Sequence, residues 1–549
     1  MSQKTITVGT VETRASIDAN FGNSQDNFSE LYANVTAREY IIVADNNSDI
    51  TTAIQAAIDL YSVVAILKPG TYVISDTITI QSNRKLILAN GVVLKLANGT
   101  SKVMFENSDT VSGNVNIELC GGKYDGNNAN QTRNDAGGYI GTLLRFNNII
   151  GFKLSDITIT NPVSFGIQLG NIRNFVVTHI TFDYTSLLAN MDGLHLNGLC
   201  SNGDIKFLSG NTNDDLLALN ADDGTQYQMT QGDISNITVD HIYCSAGYRG
   251  VRILSGSSSV NNIVIRNISG RFTYAGVLFS NYGQGVGNIY NITLENIDCN
   301  TGATEGVIHI DSNVKSLNVS GMNRTPTMAT EYECVRVSPG KTVDLLIMEN
   351  ITVNDLTTNG VTLLSIYGTI GSLNISNVTN RRGSTNNARL LNLDGGTITN
   401  LNVSNCNMGY LVELIRAVNG ALIKNVNITN ATLKYCARVF DIRANITNIN
   451  ITNTNLESVT SAIFLITTLT AVLTIRTSNL FLTTVSANIS KQPEHQVRLI
   501  SYDLPLDPTT LTPSTYDMVI NNNAAKGVVG PAMFNGTTWI SLIDGTTIS

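Results

Sequence analysis

The chain of 549 residues carries 34 Lys and Arg against 42 Asp and Glu, a net charge of −8, with 14% charged and 42% apolar residues. Without any basic run, that balance excludes a nucleic-acid partner, because phosphate binding needs clustered Lys and Arg, and it gives no footing on a membrane; no apolar run is long enough to insert into one. An acidic polysaccharide would need local positive charge, so the few arginines matter individually.

The start, Met1 to Thr5, has no apolar signal core, so synthesis in the cytoplasm without the usual export is expected. Residues 1–38 read as a separate attachment segment, with short helical stretches from Ala15 to Phe21 and from Asn27 to Tyr32. Thr52-Ala53-Ile54-Gln55 has the form of a capping box and predicts a helix from Ala53 to Leu60 that closes the end of a solenoid. Val63 to Leu67 then reads as a strand and Pro69 to Tyr72 as the next turn.

From there the chain repeats. An Asn-(Ile/Val)-x motif has its Asn at 236, 262, 291, 318, 350, 374, 402, 427 and 450, with intervals from 23 to 32 residues. Apolar and polar residues alternate, as in Asp156-Ile157-Thr158-Ile159 and His179-Ile180-Thr181-Phe182, which predicts strands with one buried face. A unit of about 25 residues cannot bury that face alone, but stacked units can. The fold expected over 39–495 is therefore all-β: a right-handed parallel β-helix with a helical cap. Its many Asn-x-Ser/Thr triplets read as turn and ladder asparagines rather than glycosylation sites. Past residue 490 the repeat fades. Pro505, Pro508 and Pro513 mark a linker, and Pro531 to Trp539 opens a small β-rich end, making 496–549 a third region and a candidate for trimerisation. The seven cysteines are far apart, odd in number and without Cys-x-x-Cys spacing, as buried reduced thiols would be.

Acidic residues are densest between 190 and 225. Asn190-Met191-Asp192-Gly193-Leu194-His195 is followed by Asn213-Asp214-Asp215, and Asp192 to Asp214 is 22 residues, about one coil, so these carboxylates should stack on neighbouring coils about 4.8 Å apart. Crowded like charges raise at least one pKa, which supplies a general acid beside carboxylates that can activate water. Glycoside hydrolysis needs that pairing. Turn aspartates or a calcium site are the competing readings.

The segment resembles the active-site region of the pectin-lyase-like superfamily, specifically the polygalacturonases of glycoside hydrolase family 28. Asn190-Met191-Asp192-Gly193 resembles that family's Asn-x-Asp-Gly motif, and Asp214-Asp215 its Asp-Asp motif. Gly121 to Asn127, Asn161-Pro162 and the strand Gly276 to Tyr282 resemble further family segments, over roughly residues 45–290. The resemblance implies Asp214 as general acid, with Asp192 and Asp215 activating water for inversion, and Tyr282 contacting substrate. The family's Gly-His-Gly is missing: Ser245 to Gly250 holds that place without a histidine. Arg252-Ile253-Leu254 matches Arg-x-Lys with Leu for Lys, one coil early.

His195 shares the strand face of Gly193, where a structural histidine is the ordinary reading and substrate positioning the sharper one. Arg249 and Arg252, on the next coil, could bind substrate or a carboxylate, or form surface ion pairs. Asp222 and Asp223 form a second acidic pair, expected in a solvated turn, with Asp223 a candidate substrate contact. Tyr282 could stack on a sugar or cover the coil edge. His179, His241, His309 and His495 have no partners at metal spacing; no metal or cofactor is expected.

The opening Thr13 to Tyr32 and the ending Met533 to Trp539 resemble bacteriophage tail and virion proteins. With the capped β-helix they resemble a phage tailspike, a family that is typically trimeric and often degrades host surface polysaccharide. That implies a homotrimer held to the tail or baseplate through its N-terminus, located on the virion and acting on capsule, exopolysaccharide or O-antigen. Two other classes remain open: a receptor-binding adhesin that cleaves nothing, and a calcium-dependent polysaccharide lyase.

Overall fold

A computed structural model describes residues 39–548, apart from 135–137, 225–228, 302–305, 325–332, 355–360, 381–387, 470–471, 486–488, 492–496, 502–504, 507–517 and 522–529. The expected attachment segment over 1–38 lies outside the described residues, as do Pro508, Pro513 and His495.

The cap helix runs Thr51–Leu60, and it is not started by a capping box. Thr52 is exposed. Asp49 Oδ1 instead accepts the backbone N–H and the hydroxyl of Thr51 at 2.9 and 2.6 Å, so an aspartate outside the helix serves its first turn. Gln55 turns away from the helix start and reaches Asp59 Oδ1 and the Thr79 backbone. Ile54, Ala57 and Ile58 are buried, and the helix packs on the strands Val63–Ile66 and Ile78–Ile80, covering edges that would otherwise stay unpaired.

Beyond it the alternating pattern does what period two dictates. Val63–Ile66 pairs in parallel with Arg84–Leu88, then Asn114–Cys120, Leu144–Thr160, Ile167–Asp183, Ser201–Asn211 and Ile234–Leu254, each about one coil further along the chain. Inward residues such as Ile157, Ile180, Leu208 and Ile242 are buried in one column. Two compact units can be distinguished: one runs to Gly270 and takes in Asn281–Gly287, the other comprises Arg271–Ser280 and the chain from Asn288. The second repeats the construction, with Val314–Arg324, Thr342–Val353, Thr369–Asn380, Thr397–Ser404, Leu422–Thr429 and Asn445–Ile466 in parallel succession. Each unit is an all-β, right-handed parallel β-helix, the hand that parallel crossovers take.

The repeat asparagines stack, but in three columns; in the first, Asn262 donates to Asn236 at 3.1 Å, both at positive φ. Asn402, Asn427 and Asn450 each donate to the Asn one coil before, at 2.8 Å. Asn350 does not belong with them. It accepts from Asn377, in a turn column that continues through Asn405, Asn430, Asn453 and Asn479, all with positive φ. Ile347 is the residue opposite both Asn318 and Asn374. The uneven intervals around Asn350 therefore mark a change of column, not a change of coil length. Asn suits the turn column because it tolerates the left-handed region and its amide both donates and accepts.

All seven cysteines are free, six of them buried and Cys120 half-buried. Burial pushes the Cys200 and Cys436 thiols up to about 12, so both stay protonated. Among the described residues no helix is long and apolar enough to cross a membrane. After Pro505-Leu506, an antiparallel meander of Met518–Asn521, Gly530–Phe534, Trp539–Ser541 and Thr547–Ile548 closes the chain around a buried Trp539.

Candidate active site

Three strands on successive coils build the site: Leu194–Asn197, Asp215–Asn220 and the end of Ile234–Leu254. Leu194 lies opposite Leu217, so Asp215, not Asp214, stands in register with Asp192. The Asp215 N–H donates to Asp192 Oδ1 at 3.2 Å, and Gly193 N–H donates to the Asp215 carbonyl at 2.8 Å. Gly193 is dictated by packing: a Cβ there would sit 2.5 Å from the Leu216 carbonyl and 2.8 Å from the Phe182 ring.

The next coil brings cations. Arg249, opposite Asp215, places Nη1 at 2.5 Å from Asp214 Oδ1 and 2.9 Å from Asp215 Oδ1. Arg252 places Nε 3.2 Å from Asp215 Oδ2 and Nη2 3.3 Å from Asp223 Oδ1. Its Nη1 donates to the Tyr282 hydroxyl, and its guanidinium lies 4.8 Å over the Tyr282 ring. Both arginines are largely buried, so they are not surface ion pairs. Tyr282, 54% exposed and at positive φ, covers this coil edge while leaving half its surface to solvent.

His195 is completely buried. Its Nδ1 meets Asp192 Oδ2 at 2.6 Å, its Nε2 lies 2.8 Å from Asp223 Oδ2, and its ring stacks on Phe165 at 4.1 Å. The 222–223 pair is not a solvated turn. Asp222 is buried and accepts the N–H groups of Gly256, Ser257 and Ser258, which anchors the neighbouring turn. Asp223 holds His195 and Arg252. Of the remaining histidines, His179 and His241 sandwich Phe207 in an exposed stack away from the site, and His309 meets Tyr274 and Ser338.

The pocket, about 160 Å³, is lined by Phe165, Asn190, Asp192, Asp214, Asp223, Arg252 and Tyr282. Five of these were candidates from the sequence. Asp215 and His195 lie buried, and Arg249 grips the two adjoining aspartates. Phe165 and Asn190 were missed as site residues. Coil counting could have found Phe165: Gly166 N–H donates to the Asp192 carbonyl, which sets Phe165 one coil before the aspartate.

Four carboxylates (Asp192, Asp214, Asp215, Asp223) face three cations (Arg249, Arg252 and a protonated His195), so one surplus negative charge invites one proton. Burial, then the charges of Asp215 and Asp192, push the Asp214 carboxyl up to about 7 against the pull of Arg249 and Arg252. Burial also raises Asp215, against the pull of Arg252. Asp214 is the more exposed of the two, so it is where that proton can reach solvent and substrate. Burial alone would lower His195, but the charge of Asp223 and the bond to Asp192 outweigh it and raise the imidazole to about 9. Oxygens of Asp192, Asp214 and Asp215 lie within 4.8 Å of one another, which would suit a divalent cation. The Arg249 guanidinium already holds Asp214 and Asp215 together, so the residues fit that ion poorly.

The family profile described as glycosyl hydrolases family 28 matches residues 77–385. No curated protein matches the sequence. Among solved structures, a tailspike protein mutant of E. coli bacteriophage HK620 in complex with pentasaccharide is similar at 14% identity and TM-score 0.50, over 76% of this chain and 81% of that one. Endo-xylogalacturonan hydrolase from Aspergillus tubingensis aligns at 16% identity and TM-score 0.43, over 65% of this chain and 100% of that one. The N-terminal fragment of bacteriophage Phi29 gene product 12 aligns at 13% and 0.48, over 87% and 96%. At these identities the likeness to the HK620 protein shows the fold alone. Inversion of configuration is general to the matched family. With its profile spanning more than half of the sequence, the chain belongs to the glycosyl hydrolases of family 28 and is a polysaccharide-degrading glycoside hydrolase on a parallel β-helix.

Proposed function

We propose that the chain is a phage tailspike depolymerase, an endo-glycosidase that hydrolyses a bacterial surface polysaccharide such as capsule, exopolysaccharide or O-antigen. The observation that carries this reading is the surplus carboxylate at the pocket, with Asp214 raised to about 7 beside Asp192 and Asp215. Protonated Asp214 gives its proton to the glycosidic oxygen as the bond to the anomeric carbon breaks. Asp192 and Asp215 take a proton from the water that attacks that carbon, which forms the inverted reducing end. Imidazolium His195 fixes Asp192, Arg249 and Arg252 hold the carboxylates and meet sugar hydroxyls, and Tyr282 offers its ring to the sugar. The fold shared with a tailspike bound to pentasaccharide supports the substrate class. The same reading makes the protein a homotrimer on the virion tail, attached through residues 1–38.

One observation favours a second reading, a receptor-binding adhesin: Arg249 bonds Asp214 at 2.5 Å and so engages the proposed acid. Asp214→Asn separates the two. With purified polysaccharide from candidate hosts, wild type should release new reducing ends and the variant should bind without cleaving. A wild type that binds the polymer and releases no ends would leave the adhesin.

A further inference from the structure

The second unit carries an arginine array that the hydrolytic reading does not use. It lies on the strands Ala388–Asp394, Leu411–Val418 and Thr432–Ile442, in parallel register, with Arg443 just past the last. Arg389 stands opposite Glu413, Asn392 opposite Arg416, and Arg416 opposite Asp441. Arg389 Nε lies 2.7 Å from Glu413 Oε1, and Arg416 Nε lies 3.8 Å from the same oxygen. Arg443 grips Asp441 with Nε at 2.9 Å and Nη2 at 3.0 Å, and Arg438 adds Nη1 at 3.2 Å. Arg416 Nη1 also donates to Asn392.

Two carboxylates thus hold four guanidinium groups. The carboxylate side chains are 2% exposed, while the arginines range from 22% to 47%. Buried carboxylates need cations, but one each would neutralise them. The further carboxylate on these strands, Asp394, accepts from Asn419 at the strand end. The outcome is a patch of surplus positive charge on a chain whose net charge is −8. The guanidinium groups are pinned from beneath, so they lose little freedom when they meet an anion. Arginine's planar fork matches carboxylate, sulfate or phosphate oxygens.

We infer that this array is a binding site for acidic polysaccharide, a second contact on the polymer separate from the cleavage pocket. Its ligand is a glycan with regularly placed carboxylate, sulfate or phosphate groups. Being exposed, the contact is screened by salt. The inference does not depend on which residue is the general acid, because it is read by retention and not by cleavage.

The test uses the full chain carrying Asp214→Asn, with polygalacturonate and neutral dextran as immobilised probes. Polygalacturonate should retain the protein, dextran should not, and roughly 0.5 M salt should release it. Arg416→Gln with Arg443→Gln should weaken retention about tenfold or more, a loss of about 1.4 kcal/mol, with unchanged circular dichroism. If that double variant unfolds, Arg443→Gln alone should lose retention and Arg443→Lys should recover part of it. Equal retention on dextran, retention unmoved by the arginine changes, or a change of subunit mass with retention intact would each overturn the site; the last would make the array a subunit contact. Reducing ends released from host polymer by wild type report the hydrolytic reading separately.

Discussion

His195 is clamped between Asp192 and Asp223, 2.6 Å from one and 2.8 Å from the other, so two acidic residues 31 positions apart in sequence share one buried imidazole. The clamp holds Asp192 through its Oδ2, while the Asp215 N–H holds Oδ1. Asp192 therefore has a fixed direction before substrate arrives, which is what a water-activating carboxylate needs.

Substitution of the clamp should separate chemistry from binding. His195→Gln keeps size and one donor but no charge. On the proposed polymer, kcat should fall about tenfold to a hundredfold while KM changes little, because His195 acts through Asp192 and touches no sugar. A merely structural histidine would lower the folded fraction and leave kcat per folded molecule alone. Single-turnover rates against active-site concentration distinguish these outcomes.

The same residue writes a pH signature into stability. The folded His195 titrates near 9, above its ordinary value of 6.5. A raised pKa stabilises fully below 6.5, and that stabilisation is lost as pH rises through about 9. Asp214 acts in the same sense at lower pH: raised from 3.8 to about 7, it favours the fold below 4 and ceases to as pH approaches 7. Thermal unfolding should therefore show a falling Tm from pH 7 to 9, and His195→Gln should flatten that slope. Activity should fall in parallel above about 7, where Asp214, the proposed acid, loses its proton. An activity that rises from pH 6 to 8 would remove Asp214 from the acid's role.

Much of this was legible before any coordinates. Period-two alternation and the recurring asparagines gave the solenoid, and coil counting brought Asp192, Asp214 and Asp215 to one wall. Two limits recur in the details. A coil count is good to about one residue, and one residue turns a side chain to the other face; that is why Asp215 rather than Asp214 stands over Asp192, and why Asn350 was grouped with the wrong column. Local motifs also say nothing about competing partners. Thr52 and Gln55 spell a capping box, but Asp49 reaches Thr51 first and the Thr79 backbone takes Gln55. Asp222 and Asp223 look like a polar turn until the Gly256–Ser258 amides and His195 close over them.

The carboxylate spacing makes a stereochemical question out of the mechanism. Oxygens of Asp192, Asp214 and Asp215 lie within 4.8 Å of one another, and the two outcomes differ in the role asked of the second carboxylate: a base for water in inversion, a nucleophile in retention. The engagement of Asp192 and Asp215 favours inversion, because His195, Arg249, Arg252 and a backbone N–H already claim their oxygens. Proton NMR of the first product formed should show the anomer opposite to the bond cleaved. Retained configuration would require one of these two aspartates to be the nucleophile, and a trapped glycosyl-enzyme would identify which.

The columns of Asn402 and of Asn377 should differ in their cost of substitution. Asn402 makes one amide bond backward and accepts one forward, on ordinary strand geometry. Asn402→Ala should cost about 1–2 kcal/mol for the broken bonds. Asn377 bonds Asn350 from a backbone at φ 54. Asn377→Ala must bear the same kind of loss plus roughly 1–2 kcal/mol for a Cβ in the left-handed region. Asn377→Gly removes that second cost and should recover about half of the deficit. Urea unfolding of the three variants gives the comparison directly. Equal costs for Asn402→Ala and Asn377→Ala, with no recovery by glycine, would mean that the turn geometry contributes nothing and that the ladder works by its amide bonds alone.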